Sequence, residues 1–370
     1  MRKLFLFILI LSFALMAIAE DVVKIGVVLP MTGGISAFGK LVWEGVQLAH
    51  EFKPTVLGKK VELVLLDNRS EKTEAANAVA RAIDKEHVVA IIGEVASSHS
   101  LAGGEIAEKK GIPMVSPAST NPLVTQGKKF VSRVCFIDPF QGSAGAEFAY
   151  NYLKARNVVI FTDIEQDYSV GLSKFFMDTF KKLGGKVSQV FYKTGDQEFS
   201  AQLTVALSRN PDVIYITGYY PEIALICQQA RALGYTGYFL TGDGADAPEL
   251  IEIGGEAVEG LYFTTHYHPK GAVTKIGKEF VEKFREKYGR DPAALNALGF
   301  DAYLVLIDAI ERAGSLDPVK IAEEVRKTEN FEGATGVITI DEHGNAVKSV
   351  VINTVKGGKF DYVTTVTPGT

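Results

Sequence analysis

Short runs of β-branched and aromatic residues recur along this chain, with segments of helical period between them. Val22 to Leu29, Val61 to Leu66, Val88 to Ile92, Val158 to Phe161, Val187 to Tyr192, Val213 to Thr217 and Tyr238 to Leu240 have strand length and strand composition. Pro113 to Val115 and Val131 to Phe136 read the same way. Leu41, Gly45, Leu48, Ala49 and Phe52 share one helix face, and a second helical segment around Phe175, Thr179 and Lys182 stops at Gly184-Gly185. Further helices are predicted at Glu222 to Leu233, Thr274 to Lys287, Asn296 to Ala313 and Pro318 to Lys327. Alternation of this kind predicts an α/β fold of parallel sheets covered by helices on both sides, because a right-handed crossover helix must return the chain to the same edge of its sheet. No period of about 20–50 residues repeats, which excludes solenoids and propellers.

Three interruptions divide the pattern. Asp138-Pro139-Phe140-Gln141-Gly142 breaks it after a complete four-unit series, Thr264 to Pro269 precedes long helices without intervening strands, and a third break falls near Ile340. A chain longer than the ~250–300 residues at which one core stops growing is expected to form two lobes. Crossing between them more than once makes both discontinuous and suits a hinge that opens and closes over a ligand.

The start of the chain sets the expected compartment. Arg2 and Lys3 precede an apolar run from Leu4 to Ala19 that ends in Ala17-Ile18-Ala19, a small-x-small cleavage pattern, so residues 1–19 read as a secretion signal. The run is short of the ~20 residues of a spanning helix, and no cysteine stands at the cleavage point to carry a lipid. Of 39 Lys and Arg, cleavage removes two, leaving 37 against 44 Asp and Glu, a net charge of −7. Nucleic acid is a poor partner for such a surface. Cys135, in a predicted strand, and Cys227, in a predicted helix, are expected to be buried free thiols in different lobes.

Candidate chemistry lies where strands end. Gly93-Glu94-Val95-Ala96-Ser97-Ser98 and Ser116-Pro117-Ala118-Ser119-Thr120 set small residues and hydroxyls at the carboxyl edge of a sheet, where Ser97, Thr120 and nearby backbone N–H groups can converge on one anion. Gly34-Ile35-Ser36-Ala37-Phe38-Gly39-Lys40 matches most of a phosphate-binding loop, but Leu41 stands where Ser or Thr would hold magnesium. The loop reads instead as a tight turn onto a helix that projects Phe38 toward the cleft. Ser98 and His99 are only sequence neighbours and no Gly-x-Ser-x-Gly elbow exists, so hydrolase chemistry is not indicated. His266 and His268 lack further metal-ligand partners and read as a surface or hinge pair. Trp43 and Tyr303 read as helix residues packed on a sheet or reaching the cleft rim.

Taken in order, several segments resemble the periplasmic leucine/isoleucine/valine-binding proteins, receptors of branched-chain amino acid ABC transporters. They are Lys24-Ile25-Gly26-Val27-Val28 with Ser36-Ala37-Phe38-Gly39, Gly93 through Ser98, Ser116 through Thr120, Gln166-Asp167-Tyr168, Gly218-Tyr219-Tyr220-Pro221-Glu222 and Gly242-Asp243-Gly244. The resemblance spans the mature chain and implies two Rossmann-like lobes joined by three crossovers, residues 20–138 with 267–339 and residues 139–266 with 340–370. It implies that Ser97 and the run Ala118-Ser119-Thr120 hold the ligand's α-carboxylate, that Tyr168 and Asp243 hold its α-ammonium, and that Phe38 and Tyr219 wall the side-chain pocket. Phe38 replaces the family's usual Tyr or Trp, favouring an apolar ligand, and Asp243 replaces a Glu. A disulfide found in some relatives is missing, since Asn68 and Ala96 occupy that region. The implied partners are an apolar L-amino acid and a membrane permease. The implied receptor is a monomer that needs no cofactor and no metal.

These residues make chemical sense for a zwitterion, since each buried charge needs a partner. Three competing readings stand beside this one. A receptor of the same fold for urea, amides or small aromatic acids has less use for an ammonium acceptor beside a carboxylate set. An exported enzyme needs a nucleophile or metal constellation. A fold-related repressor needs a basic DNA-binding segment in place of the signal.

Overall fold

A computed structural model describes residues 22–368; the predicted signal, residues 1–19, lies outside them. The first sheet contains β1 (Val22–Leu29), β2 (Thr55–Val56), β3 (Lys59–Asp67), β4 (Ala90–Ile92), β5 (Met114–Ser116) and β6 (Val131–Arg133), in the order β2-β3-β1-β4-β5-β6. β1 pairs in parallel with both β3 and β4, setting Ile25 beside Leu63 and Ala90. The second sheet begins with β7 (Asn157–Asp163), β8 (Lys186–Tyr192), β9 (Val213–Ile216), β10 (Tyr238–Thr241) and β11 (Tyr262–Thr265). A small hairpin, β12 (Phe331–Gly333) with β13 (Gly336–Ile338), stands apart. β14 (Val350–Lys356) and β15 (Lys359–Val366) complete the second sheet in the order β15-β14-β11-β10-β9-β7-β8.

The helices used below are α1 (Ser36–Phe52), α2 (Lys72–Asp84), α3 (Ser97–Lys110), α4 (Asp138–Glu147), α5 (Asp167–Lys182), α6 (Ser200–Ser208), α7 (Tyr220–Ala232), α8 (Glu249–Gly254), α9 (Lys275–Tyr288), α10 (Ala294–Ala313) and α11 (Pro318–Arg326). The chain changes sheet three times: after β6, after β11 and before β14. These are two parallel-sheet lobes joined by a three-strand hinge, and α4 already packs on α5 of the second lobe.

Two structural differences from the sequence pattern have clear causes. β14 and β15 run antiparallel at the edge of an otherwise parallel sheet. Their two-residue Gly357-Gly358 connection has φ of 60° and 68°, the left-handed pair that a tight hairpin requires and glycine supplies without strain. Their burial is mixed, so the apolar runs that mark the central strands are absent here. β6 ends at Arg133, so Cys135 lies just beyond the strand, fully buried; Cys227 is in α7, and both are free thiols.

α10 crosses back onto α1 with almost no gap. A Cβ at Gly45 would collide with the carbonyl oxygen of Asn296, and one at Gly299 with that of Val42. Asn296 also donates through Nδ2 to Leu41 O at 2.7 Å, and Tyr303 donates to Lys53 O at 2.6 Å, so Tyr303 is a packing residue that ties α10 to the end of α1. This contact fastens a returning segment to the first lobe. Gly45→Ala gains roughly 1 kcal/mol of helix propensity but forces backbone apart, at about 1–3 kcal/mol for overpacking. The steric effect is expected to win, and equilibrium urea denaturation should show a lower midpoint; an unchanged or higher midpoint would show that α1 and α10 separate freely.

Candidate functional site

The two lobes meet with the carboxyl edges of their sheets facing each other, and the site is built from the loops there. On the first lobe, α3 opens at Ser97 after Ala96, which has no side chain to cap the first-turn N–H groups. Ser97 Oγ accepts from Asn121 N–H at 3.2 Å, which leaves its own proton to donate. Ala118 and Thr120 come from the loop after β5. That loop is braced from behind by Arg133, fully buried, whose Nη1 donates to the carbonyl oxygens of Ser119 at 2.5 Å and Asn121 at 2.9 Å.

Ser119 takes a different position from the one the sequence pattern suggested. Its N–H donates to Ser116 Oγ at 2.9 Å and its hydroxyl lies within reach of the carbonyl oxygens of Glu94 and Val95, at 3.0 and 2.8 Å. Both groups are spent inside the lobe, so Ser119 fixes the loop from behind the wall while Ala118 and Thr120 face the cavity.

On the second lobe, Tyr168 sits in the first turn of α5 and Tyr219 just before α7. Their rings stack at 5.3 Å, and Phe38 meets Tyr219 edge-on at 5.7 Å across the cleft. The Tyr168 hydroxyl accepts from Gly244 N–H at 3.1 Å. Gly244 must be glycine for this approach, since a Cβ there would collide with Gly218 O. Asp243 begins the short turn after β10; its N–H donates to Gln141 Oε1 at 2.9 Å and its Oδ2 lies 2.8 Å from His266 Nε2. Its Oδ1 is buried and has no hydrogen-bond partner among the described residues.

The result is a small interlobe cavity lined by Phe38, Ser97, Ala118, Thr120, Tyr168, Tyr219 and Asp243, with Val95, Gly244 and Leu295 completing the wall. A broader groove beside Lys270, Arg285 and Lys359 is open to solvent and lined in part by charged side chains. The cavity is polar at two places and apolar between them. Hydroxyls and helix N–H groups come from one lobe; a carboxylate oxygen comes from the other.

Direct hydrogen bonds hold the lobes shut around it. Tyr220 reaches across so that its hydroxyl accepts from Ala37 N–H and donates to Gly34 O, both at 3.3 Å. Ser98 Oγ donates to Asp167 Oδ2 at 2.9 Å and accepts from Asp167 N–H at 3.0 Å, while Asn121 Nδ2 donates to Asp167 O at 2.8 Å. Ser98 is therefore a latch. Its neighbour His99 faces Asn68 instead, at 3.4 Å, and burial pushes its imidazole down to about 4.

Val95, Leu295, Tyr220 and His266 were not singled out from the sequence as site residues. Leu295 enters at the start of α10, far along the chain, and only the third dimension places it here. His266 corrects the surface half of the surface-or-hinge reading: it follows β11 where the chain leaves the second sheet, but its side chain is almost fully buried, stacked on Phe136 at 3.8 Å and bonded to Asp243. His268 is also buried and accepts from Lys270 N–H at 3.1 Å. Groups of three or more metal-ligating side chains do not occur among the described residues.

An internal layer supports the second pole. Gln141 Nε2 donates to Asp138 Oδ1 at 2.9 Å, and its Oε1 accepts from both Asp243 N–H and Thr264 Oγ1. Burial and the nearby Asp243 carboxylate push Asp138 up to about 8, which favours its neutral form at neutral pH. Burial likewise pushes Asp246 up to about 7, against a hydrogen bond from Thr265 that lowers it.

Two α/β lobes shut over a cavity of this kind define a ligand-binding receptor. The chain belongs to the periplasmic binding protein family, whose match covers residues 22–359, and within it to the leucine/isoleucine/valine-binding proteins; these are substrate-binding proteins of ABC transporters and not enzymes. It is 30% identical over 356 residues to the leucine-, isoleucine-, valine-, threonine- and alanine-binding protein of Pseudomonas aeruginosa, covering 93% of this chain and 92% of the relative. Among solved structures it is 72% identical to a leucine binding protein, LivK, of Thermotoga maritima, with a TM-score of 0.93 over 94% of this chain and 99% of that one. It is 30% identical to LivJ of Streptococcus pneumoniae, a branched-chain amino acid transporter substrate binding protein solved with isoleucine, with a TM-score of 0.88 over 94% and 100% of the two chains.

The raised value of Asp138 has a testable sign. Between its ordinary unfolded value near 3.8 and its folded value of about 8, the folded state binds the extra proton, so this group's contribution to stability falls as pH rises through that window. Asp138→Asn mimics the neutral acid and removes the penalty. The melting temperature of the ligand-free variant should gain on the wild type progressively from pH 5 to 8; a constant difference across that range would place Asp138 in its ionised form throughout.

Proposed function

We propose that this protein is the extracytoplasmic receptor of an ABC importer, a monomer that closes residues 20–138 with 267–339 against residues 139–266 with 340–370 around a branched-chain or other apolar L-amino acid and presents it to a membrane permease. The observation that carries this reading is the free Asp243 Oδ1, buried opposite the hydroxyls of Ser97 and Thr120 across an apolar cavity. An unpaired carboxylate oxygen removed from water is costly. An α-ammonium supplies the missing partner, and the same ligand's carboxylate meets the hydroxyls and first-turn N–H groups of α3. The side chain then falls among Phe38, Tyr219, Val95 and Leu295, none of which offers a charge. Burying a leucine-sized group there contributes roughly 1.5–3 kcal/mol. The names of the relatives support the same ligand class, and no helix among the described residues is long and apolar enough to cross a membrane.

Urea, amides and simple aromatic acids fit less well. A carboxylic acid without an amine leaves Asp243 Oδ1 unpaired, and urea leaves the apolar wall unfilled. The closed cavity therefore favours a molecule with both charges and an apolar branch.

Isothermal calorimetry on the mature protein tests this. L-Leucine, L-isoleucine or L-valine is expected to bind, with D-leucine, urea and benzoate at least a hundredfold weaker, because inversion or loss of either pole strands a buried group. Asp243→Asn should weaken L-leucine by about 2–5 kcal/mol, the range for truncating one partner of a buried charge pair. Preference for urea or benzoate, or an unchanged affinity in Asp243→Asn, would overturn the reading.

A further inference from the structure

We propose that His266 is a positioning residue for the ammonium end of the site: as a neutral imidazole it holds Oδ2 of Asp243 so that Oδ1 alone is aimed at the ligand. The inference rests on the reading of Asp243 as the ammonium acceptor and adds how that acceptor is oriented. His266 follows directly on β11, and its ring lies nearly parallel to Phe136, 3.8 Å away with 22° between planes. Phe136 belongs to the segment that crosses between lobes after β6, so the imidazole is fixed by the hinge itself. Its Nε2 is 2.8 Å from Asp243 Oδ2.

The tautomer follows from the partners. A carboxylate only accepts, so Nε2 carries the proton. Nδ1 is buried without a partner, and a proton there would be a stranded donor. Burial lowers the basicity of the ring, Asp243 raises it, and the buried ammonium of Lys348 lowers it again. The imidazole thus orients the carboxylate without neutralising it, and the negative charge is left for the ligand to balance. Without this bond the terminal torsion of an aspartate has broad, roughly two-fold freedom, and either oxygen can turn toward other donors. Gln141, holding the Asp243 N–H, fixes the backbone; His266 fixes the side chain.

The test compares two ligands across variants. L-Leucine carries both poles, and 4-methyl-2-oxopentanoate has the same carbon skeleton and carboxylate but no amine. His266→Phe keeps a ring to stack on Phe136 and removes the donor; His266→Gln keeps an amide donor. In His266→Phe, calorimetry should show a roughly 10- to 100-fold loss for L-leucine, the scale of one charge-assisted hydrogen bond, and less than about a threefold change for the oxo acid. His266→Gln should recover most of the loss. In Asp243→Asn, adding His266→Phe should produce no further loss, because the two act through one carboxylate oxygen. His266→Leu serves in place of the phenylalanine variant if that one is not recovered folded. Equal losses for both ligands, full additivity with Asp243→Asn, or wild-type affinity for L-leucine in a variant without the donor would overturn the role of His266 while leaving the ligand class standing. A wild-type protein that binds the oxo acid as tightly as L-leucine would instead overturn the ammonium reading itself, and this inference with it.

Discussion

A single carboxylate with one oxygen held and the other free sets the terms for the whole molecule. Asp243 enters the cleft from the second lobe, bonded through Oδ2 to His266 and through its N–H to Gln141, with Oδ1 facing a cavity sealed by the first lobe. Closing the lobes over that oxygen removes it from water. No side chain among the described residues replaces the lost hydration: Oδ1 has no partner, burial and Asp243 favour the neutral form of Asp138, and burial lowers the basicity of His266. Closure is thus unfavourable at this point by itself, and under the proposed function the ligand's ammonium is what makes it favourable.

The contacts that join the lobes directly are matched to that logic. Tyr220 with the start of α1, and Ser98 and Asn121 with Asp167, supply hydrogen bonds of modest net value, about 0.5–1.5 kcal/mol each, because water would satisfy the same groups in an open cleft. The Lys72 and Asp167 pair, 3.7 Å apart and largely exposed, adds little. Phe38 adds apolar contact across the cleft, edge-on to Tyr219 and Tyr220. Together these contacts define where the closed state lies. Under the proposed function, ligand shifts the balance by its own differential affinity, which is largest for a molecule that touches both lobes.

Much of this was legible in the sequence because the first sheet and most of the second are built from short buried runs whose composition is hard to mistake: β1 spans Val22–Leu29 in both readings, and α10 follows its predicted course nearly residue for residue. The edge hairpin of β14 and β15 was not, since half-exposed strands lack a continuous apolar run and their pairing is set by contact with β11. The same holds within the site. Ser97, Ala118, Thr120 and Phe38 stand at element ends, where backbone geometry and composition announce a cleft; Asp243, between two glycines, reads equally as a turn residue and was singled out only through the family resemblance. Leu295 and His266 belong to segments that return to the cleft after crossing between lobes. No local pattern encodes that return, and a histidine beside a second histidine two positions on suggests a surface pair until Phe136 is seen to cover it. Ser119 shows the converse error: sharing a loop with Ala118 and Thr120 does not make a side chain face the same way.

The shape of the cavity carries the argument one step further, to why selectivity on this scaffold resides in the middle of the site. Both poles are held by groups that the surrounding network has already fixed: Arg133 behind the Ser119 to Asn121 loop, Asn121 on Ser97, and Gln141 and His266 on Asp243. Such groups are costly to move, because each displaced partner leaves another buried polar atom unsatisfied. Phe38, Val95, Tyr219 and Leu295 have no comparable tether; they are held by packing, and volume-conserving apolar exchanges typically cost under about 1.5 kcal/mol. Phe38 meets the Tyr219 and Tyr220 rings only edge-on and brings no polar tip of its own. Under the proposed function, then, the rigid ends read what every α-amino acid has in common, and the soft apolar wall between them reads what distinguishes one from another.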